Sequence, residues 1–207
     1  MSKFISVTRL AVLGALLLAF AVSVSVSADS FRLLEPVRSD SLSYSDENIV
    51  VSFTMRAGYM GIGYTGIEFT ITNRSTQAIS VNWDQSSITL PNGQISNVAH
   101  EGTKYMSAGS STPPTTIPPG GKLSDSIIPS RSIHYYGGEW SVQPMGITSG
   151  SQFGLYLALG RAGTSNGYNF IFEAVEVTSA TGSLALLLVG MLGLLALIGL
   201  IGLLLVL

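Results

Sequence analysis

Residues 66–72 have the sequence Gly-Ile-Glu-Phe-Thr-Ile-Thr, in which three large apolar side chains alternate with polar ones. Side chains two residues apart lie on the same face of a β-strand, so this stretch predicts a strand with one buried and one solvated face. A turn cluster follows at 73–77, and residues 78–83, Ala-Ile-Ser-Val-Asn-Trp, then alternate again. We expect the two runs to pair as a β-hairpin, with Trp83 buried in the core.

Six further stretches have the β-branched and aromatic composition of strands, and turns rich in Gly, Pro and Asn separate them. They are 49–55, 87–90, 94–100, 122–128, 152–159 and 168–177. We expect the last two to pair with each other and to lie in the centre of a sheet. No stretch between 29 and 180 has the pattern of a capped amphipathic helix. The sequence therefore predicts an all-β fold, an antiparallel β-sandwich.

Residues 1–28 have the three parts of a signal peptide: a positively charged start, an apolar run and a terminal Val-Ser-Ala of small residues. We predict cleavage before Asp29, with an uncleaved signal anchor as the alternative. Residues 29–180 then form an ectodomain outside the cytoplasm, either periplasmic or at the cell surface.

Residues 184–207 contain no charged and no polar side chain. As a helix this segment would be about 36 Å long, enough to cross a hydrocarbon core of about 30 Å. We predict a single-pass transmembrane anchor. The small residues at 179–183 leave open a second possibility, that the tail is a processing signal removed from the mature chain. Gly and Ala also share one face of this helix, which predicts weak self-association through the tail.

Composition excludes several classes of function. Removing 1–28 takes Lys3 and Arg9 from the ten basic residues, which leaves eight against twelve acidic ones and a net charge of −4. Without a basic cluster we expect no nucleic-acid partner. The chain has no cysteine, which excludes disulfides, thiolate metal sites, cysteine nucleophiles and lipidation of an N-terminal cysteine.

Catalytic patterns are weak throughout the chain. His100, Glu101 and His134 could supply metal ligands, but their spacing matches no zinc motif, so we predict no metal and no cofactor. No G-x-S-x-G occurs, and the Gly-x-Gly-x-x-Gly at 61–66 does not lead into a helix, as a dinucleotide site requires. Four carboxylates are available for glycoside hydrolysis, although no spacing singles out a pair: Asp84, Glu101, Asp125 and Glu139.

Two segments with loop composition hold the candidate binding residues. One is the Gly- and Pro-rich stretch 101–121, and the other is Tyr-Tyr-Gly-Gly-Glu-Trp at 135–140. Aromatic side chains on loops often form binding surfaces, while the alternative is that they pack over the open end of the core. The candidates are Tyr105, Tyr135, Tyr136 and Trp140, together with His100 and Lys104.

One pattern in the middle of the chain is similar to a set of small bacterial envelope proteins, many of them lipoproteins. It covers about 60 residues and consists of Trp83-Asp84, His100-x-Gly102-x-Lys104-Tyr105, Pro113-Pro114 and Pro119-Gly120. The resemblance implies an Ig-like organisation and an envelope location, and it brings no catalytic residues. This chain departs from the set in having a predicted transmembrane tail and no cysteine to carry a lipid.

These features together predict a non-enzymatic, membrane-anchored envelope protein whose loops bind a protein or a glycan. Two alternatives from other classes stay open. One is a hydrolase that acts on the cell wall or on a polysaccharide, and the other is a structural subunit of a membrane complex joined through the tail.

Overall fold

The computed structural model describes residues 29–177, apart from 60–61, 102, 108–109 and 162–163. The strands within that range are β1 (Ser30–Glu35), β2 (Ser43–Ser45), β3 (Ile49–Ala57), β4 (Tyr64–Asn73), β5 (Ile79–Thr89), β6 (Ile95–His100), β7 (Thr115–Ile117), β8 (Lys122–Pro129), β9 (Ile133–Tyr136), β10 (Glu139–Val142), β11 (Gln152–Arg161) and β12 (Thr164–Glu176). Two short 3₁₀ turns, Tyr105–Ser107 and Ser130–Ser132, complete these elements.

All strand pairs between these elements are antiparallel, which confirms the predicted all-β antiparallel fold. The strands follow one hydrogen-bonded path, β1-β12-β11-β5-β6-β8-β4-β3-β2, while β7 adds to β5 and β9 pairs only with β10. Within the described ranges, the chain forms no helix with the length and apolar character needed to cross a membrane. The predicted signal peptide (1–28) and the predicted anchor (184–207) both lie outside the described residues.

Strand β6 joins the two halves of this path. Its residues 95–97 pair with β5, and its residues 98–100 pair with β8. The half that contains β3, β4 and β8 therefore turns to face the half that contains β5, β11 and β12. Phe53 on β3 shows the contact, because its ring centroid lies 4.8 Å from that of Phe170 and 5.1 Å from that of Phe172, both on β12.

Inner-face side chains from both halves form one hydrophobic core. Ile67, Phe69 and Ile71 are buried, as their alternation predicts, and Trp83 is only 1% exposed. Burying one large apolar side chain contributes about 1.5–3 kcal/mol. In a chain without disulfides this core is the main source of stability.

The predicted hairpin between 66–72 and 78–83 is wrong. Strand β4 pairs with β3 and β8, whereas β5 pairs with β11, β6 and β7, so the two runs lie in opposite halves of the sheet. Each run still buries its apolar face, because the two faces meet across the core. Alternation fixes which face is buried, but it does not distinguish a hairpin from a crossover.

Two further predictions need correction. The stretch 87–90 is the end of β5 rather than a separate strand, since β5 continues through an irregularity at which the Ser86 hydroxyl accepts from the Ala158 N–H (3.1 Å). Residues 135–140 are not a loop but the turn of the β9–β10 hairpin, in which Gly137 and Gly138 both have positive φ. A two-residue turn of this geometry matches the twist of its flanking strands.

The predicted pairing of the last two strands is confirmed. Strands β11 and β12 pair continuously, from Gln152 opposite Glu173 to Arg161 opposite Thr164. Both have partners on either side, since β12 also pairs with β1 and β11 also pairs with β5. Neither is therefore an edge strand, although β12 lies next to the terminal strand β1.

Candidate functional site

The outer face of β3, β4 and β8 carries a ladder of polar side chains. Alternation along each strand sends the apolar residues to the core, so the intervening polar residues face outward. The antiparallel register aligns six of them in two rungs: Ser52, Thr70 and Ser124 in one, Thr54, Glu68 and Ser126 in the other. These six residues contribute to the lining of a cavity of about 350 Å³.

A second cavity, of about 300 Å³, adjoins the first because Glu68, Glu101 and Ser126 line both. Its lining is completed by Arg56, Ala99, His100, Thr103, Tyr105 and Ile128. We refer to the two cavities together as the polar groove. The Arg56 guanidinium crosses from β3 to β8 within it and donates to the Ser126 hydroxyl at 3.1 Å.

The polar groove contains one buried oxygen without a partner. Thr103 Oγ1 has no hydrogen-bond partner among the described residues, although its backbone N–H donates to the carbonyl of His100 at 3.0 Å. A buried hydroxyl normally forms a hydrogen bond, because leaving it unpaired costs about 1–3 kcal/mol. Thr103 therefore lines the groove with its hydroxyl oxygen enclosed by protein and unpaired within the described part of the chain.

His100 is held rigidly at the wall of the polar groove. Its ring stacks on the buried indole of Trp83, with centroids 4.2 Å apart and planes 6° apart. Its Nδ1 lies 3.1 Å from Asp125 Oδ2, while Asp125 Oδ1 accepts from the backbone N–H groups of Glu101 (2.9 Å) and Ser126 (2.7 Å). The stacking on Trp83 and the contact with Asp125 together fix the orientation of the imidazole ring.

Three of the four predicted aromatic residues come together beside the groove. Tyr135 pairs across the β9–β10 hairpin with Trp140, and their ring centroids lie 5.0 Å apart. Tyr105 contacts the same indole, with centroids 6.2 Å apart. We refer to Tyr105, Tyr135 and Trp140 as the aromatic cluster. Tyr136 pairs with Glu139 instead, which directs it to the opposite face of the hairpin, where it is 87% exposed.

Tyr105 belongs both to the lining of the polar groove and to the aromatic cluster. It lies in the 3₁₀ turn that follows the exposed Lys104, and this turn is closed by the Ser107 N–H, which donates to the Lys104 carbonyl at 2.7 Å. The groove and the cluster are therefore parts of one continuous surface. Of the six predicted binding residues, His100 and Tyr105 line the groove and Tyr135 and Trp140 extend it.

The remaining candidates have structural roles or lie elsewhere. Asp84 holds the loop that follows Ser110, because it accepts from the Ser111 hydroxyl and from the Thr112 N–H (2.8 Å). These hydrogen bonds, the Ser111 bond first, hold the pKa of Asp84 below its usual value. His134 is exposed on β9, opposite Ser141. Within the described ranges, no three His, Asp or Glu side chains converge to form a metal site.

The sequence did not single out Arg56, Glu68, Thr103 or Ser126, although the structure places all four in the groove. A signal for Glu68 existed, since alternation in 66–72 already directs it outward. The cross-strand register that brings it beside the outward residues of β3 and β8 is not visible in any one strand.

Comparisons with protein-family models and with curated proteins found no match to this chain. Among solved structures, the crystal structure of the YjhA protein from Bacillus subtilis is similar over 54% of this chain and 77% of that chain, with 13% sequence identity and a TM-score of 0.31. A likeness at this level transfers neither a fold nor a function.

Proposed function

We propose that this chain is a non-enzymatic, membrane-anchored envelope protein that binds a glycan along the polar groove and the aromatic cluster. The observation that carries the proposal is the position of Tyr105, which joins a hydroxyl-rich groove to two further exposed aromatic rings. A sugar ring presents hydroxyl groups at its edge and a C–H surface on its face. A site with polar side chains beside aromatic rings complements both.

The chemistry of the groove supports a sugar over a large apolar ligand. Glu68 and Glu101 supply acceptors, Arg56 supplies donors, and the hydroxyls of the two rungs can do either. Because the groove is lined by both acidic and basic side chains, it does not favour a polyanionic ligand.

An Ig-like sandwich with a signal peptide and a C-terminal anchor is the architecture we propose around this site. Strand order supports it. One half of the path, β3-β4-β8-β6, has the order of the A-B-E-D sheet of an Ig domain, and the other half, β6-β5-β11-β12, has the order of the C′-C-F-G sheet. Strand β6 belongs to both halves because it pairs with β5 and then with β8. Trp83 lies on β5, the counterpart of strand C, where Ig domains carry a buried tryptophan. The apolar composition of 184–207 supports the anchor.

A hydrolase is the second candidate, because His100 is oriented by Asp125 and two carboxylates, Glu68 and Glu101, line the same cavity. A fixed imidazole and paired carboxylates are groups that hydrolytic catalysis uses. We favour binding because the His100 ring lies flat on Trp83 and closes the core beneath it. This stacking on Trp83 accounts for the position of His100 without a catalytic role.

Calorimetric titration of the full-length chain in detergent with chitohexaose, cellohexaose and maltohexaose tests the proposal. We expect saturable binding of at least one sugar, and about tenfold weaker binding, about 1.4 kcal/mol, in Trp140→Ala and in Tyr105→Ala. Tyr136→Ala is the matched control, since Tyr136 lies on the other face of the same hairpin, and it should change the affinity less than twofold.

Three results would overturn the proposal. Binding of none of the three sugars would favour a protein partner, and equal losses in all three variants would mean that the aromatic cluster is not the site. Release of shorter sugars by the chain, abolished in Glu68→Gln or Glu101→Gln, would establish the hydrolase instead.

A further inference from the structure

One end of the fold holds both termini of the described range. Ser30 on β1 pairs with Glu176 on β12, so the two terminal strands reach the same edge. The Tyr64 hydroxyl donates to Asp29 at 2.5 Å, which brings the start of β4 to this edge as well. The β3–β4 connection also lies here, closed by the Gly58 N–H, which donates to the Gly63 carbonyl at 2.8 Å. We refer to this edge as the termini end.

The β3–β4 connection presents large apolar side chains to solvent. Tyr59 is 86% exposed and Ile62 is 52% exposed. The connection at the opposite end of β4 has a different character, because residues 74–77, Arg-Ser-Thr-Gln, are all polar. The exposed apolar side chains of the two connections are therefore confined to the termini end.

The chain length that follows Val177 limits where the apolar tail can begin. Seven residue steps separate Val177 from Leu184, and a fully extended chain of that length spans at most about 25 Å. If residues 184–207 anchor the chain, as the proposed function holds, the termini end lies within that distance of the bilayer. The connections at the other end of the sheet are separated from the termini end by the length of the strands.

We propose that the termini end rests on the membrane, with Tyr59 and Ile62 inserted into the interfacial region of the bilayer. This inference rests on the anchor in the proposed function and adds the orientation of the domain. Tyrosine is favoured at this depth because its ring is apolar and its hydroxyl reaches water, and isoleucine adds burial of apolar area. The acidic groups of this end do not oppose insertion strongly, since Asp29 is held by Tyr64 and a neutral lipid surface does not repel Glu176.

This orientation also places the base of the β9–β10 hairpin. Gly63 packs against Pro144, since a Cβ added at the glycine would lie 3.0 Å from that proline, and the Gln143 N–H donates to the Ser132 carbonyl at 2.8 Å. The base of the β9–β10 hairpin is therefore at the termini end. The hairpin that carries Tyr135 and Trp140 would then start from the membrane-proximal end of the domain.

The absence of cysteine makes the orientation directly measurable. Full-length Ile62→Cys and Tyr59→Cys chains are spin-labelled and reconstituted in phosphatidylcholine vesicles, with Thr76→Cys as the matched control in the exposed connection at the other end of β4. We expect the labels at 62 and 59 to be several-fold more accessible to oxygen, relative to a water-soluble nickel reagent, than the label at 76. Equal, aqueous values at all three positions would overturn the inference.

Flotation of the same vesicles after an alkaline carbonate wash separates the two proposals. A chain that floats but has aqueous labels at 59 and 62 keeps its anchor and refutes only the orientation. A chain that does not float refutes the anchor, and the orientation falls with it.

Discussion

Replacing Asn73 with aspartate should destabilise the fold by removing hydrogen-bond donors without changing the shape of the side chain. Asn73 ends β4 and is 0% exposed. Its amide nitrogen donates to the carbonyls of Gln77 (2.7 Å) and Ile117 (3.0 Å), and its amide oxygen accepts from the N–H (2.9 Å) and the hydroxyl (2.8 Å) of Ser75. One side chain thus connects β4, the crossover to β5 and the end of β7.

The size of the effect follows from what Asn73→Asp removes. Both donated bonds are lost, and a carboxylate oxygen then faces the carbonyls of Gln77 and Ile117. Each lost bond costs about 0.5–1.5 kcal/mol net, and a buried group left unpaired costs about 1–3 kcal/mol. We expect a loss of about 3 kcal/mol at pH 7, which corresponds to a decrease in Tm of about 6–12 °C for a domain of this size.

The pH dependence of Asn73→Asp has a defined sign. Burial beside two carbonyls raises the pKa of the introduced carboxyl above its unfolded value of about 3.9, because it disfavours the charged form. The penalty is therefore present at neutral pH and is relieved as the pH falls through the raised pKa, since the protonated carboxyl regains one donor. The deficit relative to the unchanged chain should be smaller at pH 4 than at pH 7.

Urea denaturation followed by tryptophan fluorescence measures this loss, because Trp83 is in the core. Asn92→Asp is the matched control. Asn92 is exposed in a turn and uses only its amide oxygen, which accepts from the Gln94 N–H at 3.0 Å, so its conversion should cost less than about 0.5 kcal/mol. Equal stability of the two variants at pH 7 would refute the reasoning, since the Asn73 amide nitrogen would then have no role.

Two other substitutions test a close contact between strands and the titration of a partly buried tyrosine. Gly66→Ala should cost about 3 kcal/mol in the same urea assay, because the new Cβ would lie 2.2 Å from the Ile127 carbonyl oxygen of the neighbouring strand. Gly154→Ala should cost less than half as much, because the tightest contact of its Cβ, at 3.2 Å, is with the flexible terminal methyl of Ile171. Burial, followed by its hydrogen bond to Asp46, raises the pKa of Tyr168 to about 12. The neutral Tyr168 hydroxyl therefore stabilises the fold below pH 10, and this contribution is lost as the pH rises through 12. Tyr168→Phe should then flatten the decline in Tm between pH 10 and 12. An unchanged slope would contradict the assignment.

The faces of the strands were predictable because alternation is a local property. Ile67, Phe69 and Ile71 are 0%, 3% and 0% exposed, in agreement with a period of two in 66–72. The all-β class follows from the same reasoning, whereas the β11–β12 pair was predicted from the short connection between two consecutive strands. Neither the buried faces nor the all-β class requires knowledge of which strand lies next to which.

Strand partners were not predictable where a turn and a crossover have the same composition. Residues 73–77 have the polar, turn-forming character of a hairpin loop, yet the buried Asn73 amide bonds to β7, in the other half of the sheet, and the chain crosses over. The passage of β6 from β5 to β8 is equally hidden. It depends on the position of β8, which comes more than twenty residues later in the sequence.

The contrast between local patterns and strand partners also explains which part of the candidate site could be predicted from the sequence. The aromatic cluster was predictable as a set of candidates because Tyr105, Tyr135 and Trp140 are rare residue types in stretches rich in Gly and Pro. Its exact membership was not, since the register of the β9–β10 hairpin turns Tyr136 away.

The polar groove could not be predicted from any one strand, because outward polar residues are the default on a solvated face. It becomes a site only where β8 lies beside β4 and aligns two rungs of hydroxyl and carboxylate groups. The separate pairing of β8 with β6 puts Asp125 next to His100, from which the chain continues to Tyr105. If a glycan binds here, substitutions at Glu68 and at Tyr105 should both weaken the binding of the same glycan. The two residues line the same cavity, although one lies on a strand and the other in a turn that comes much later in the sequence.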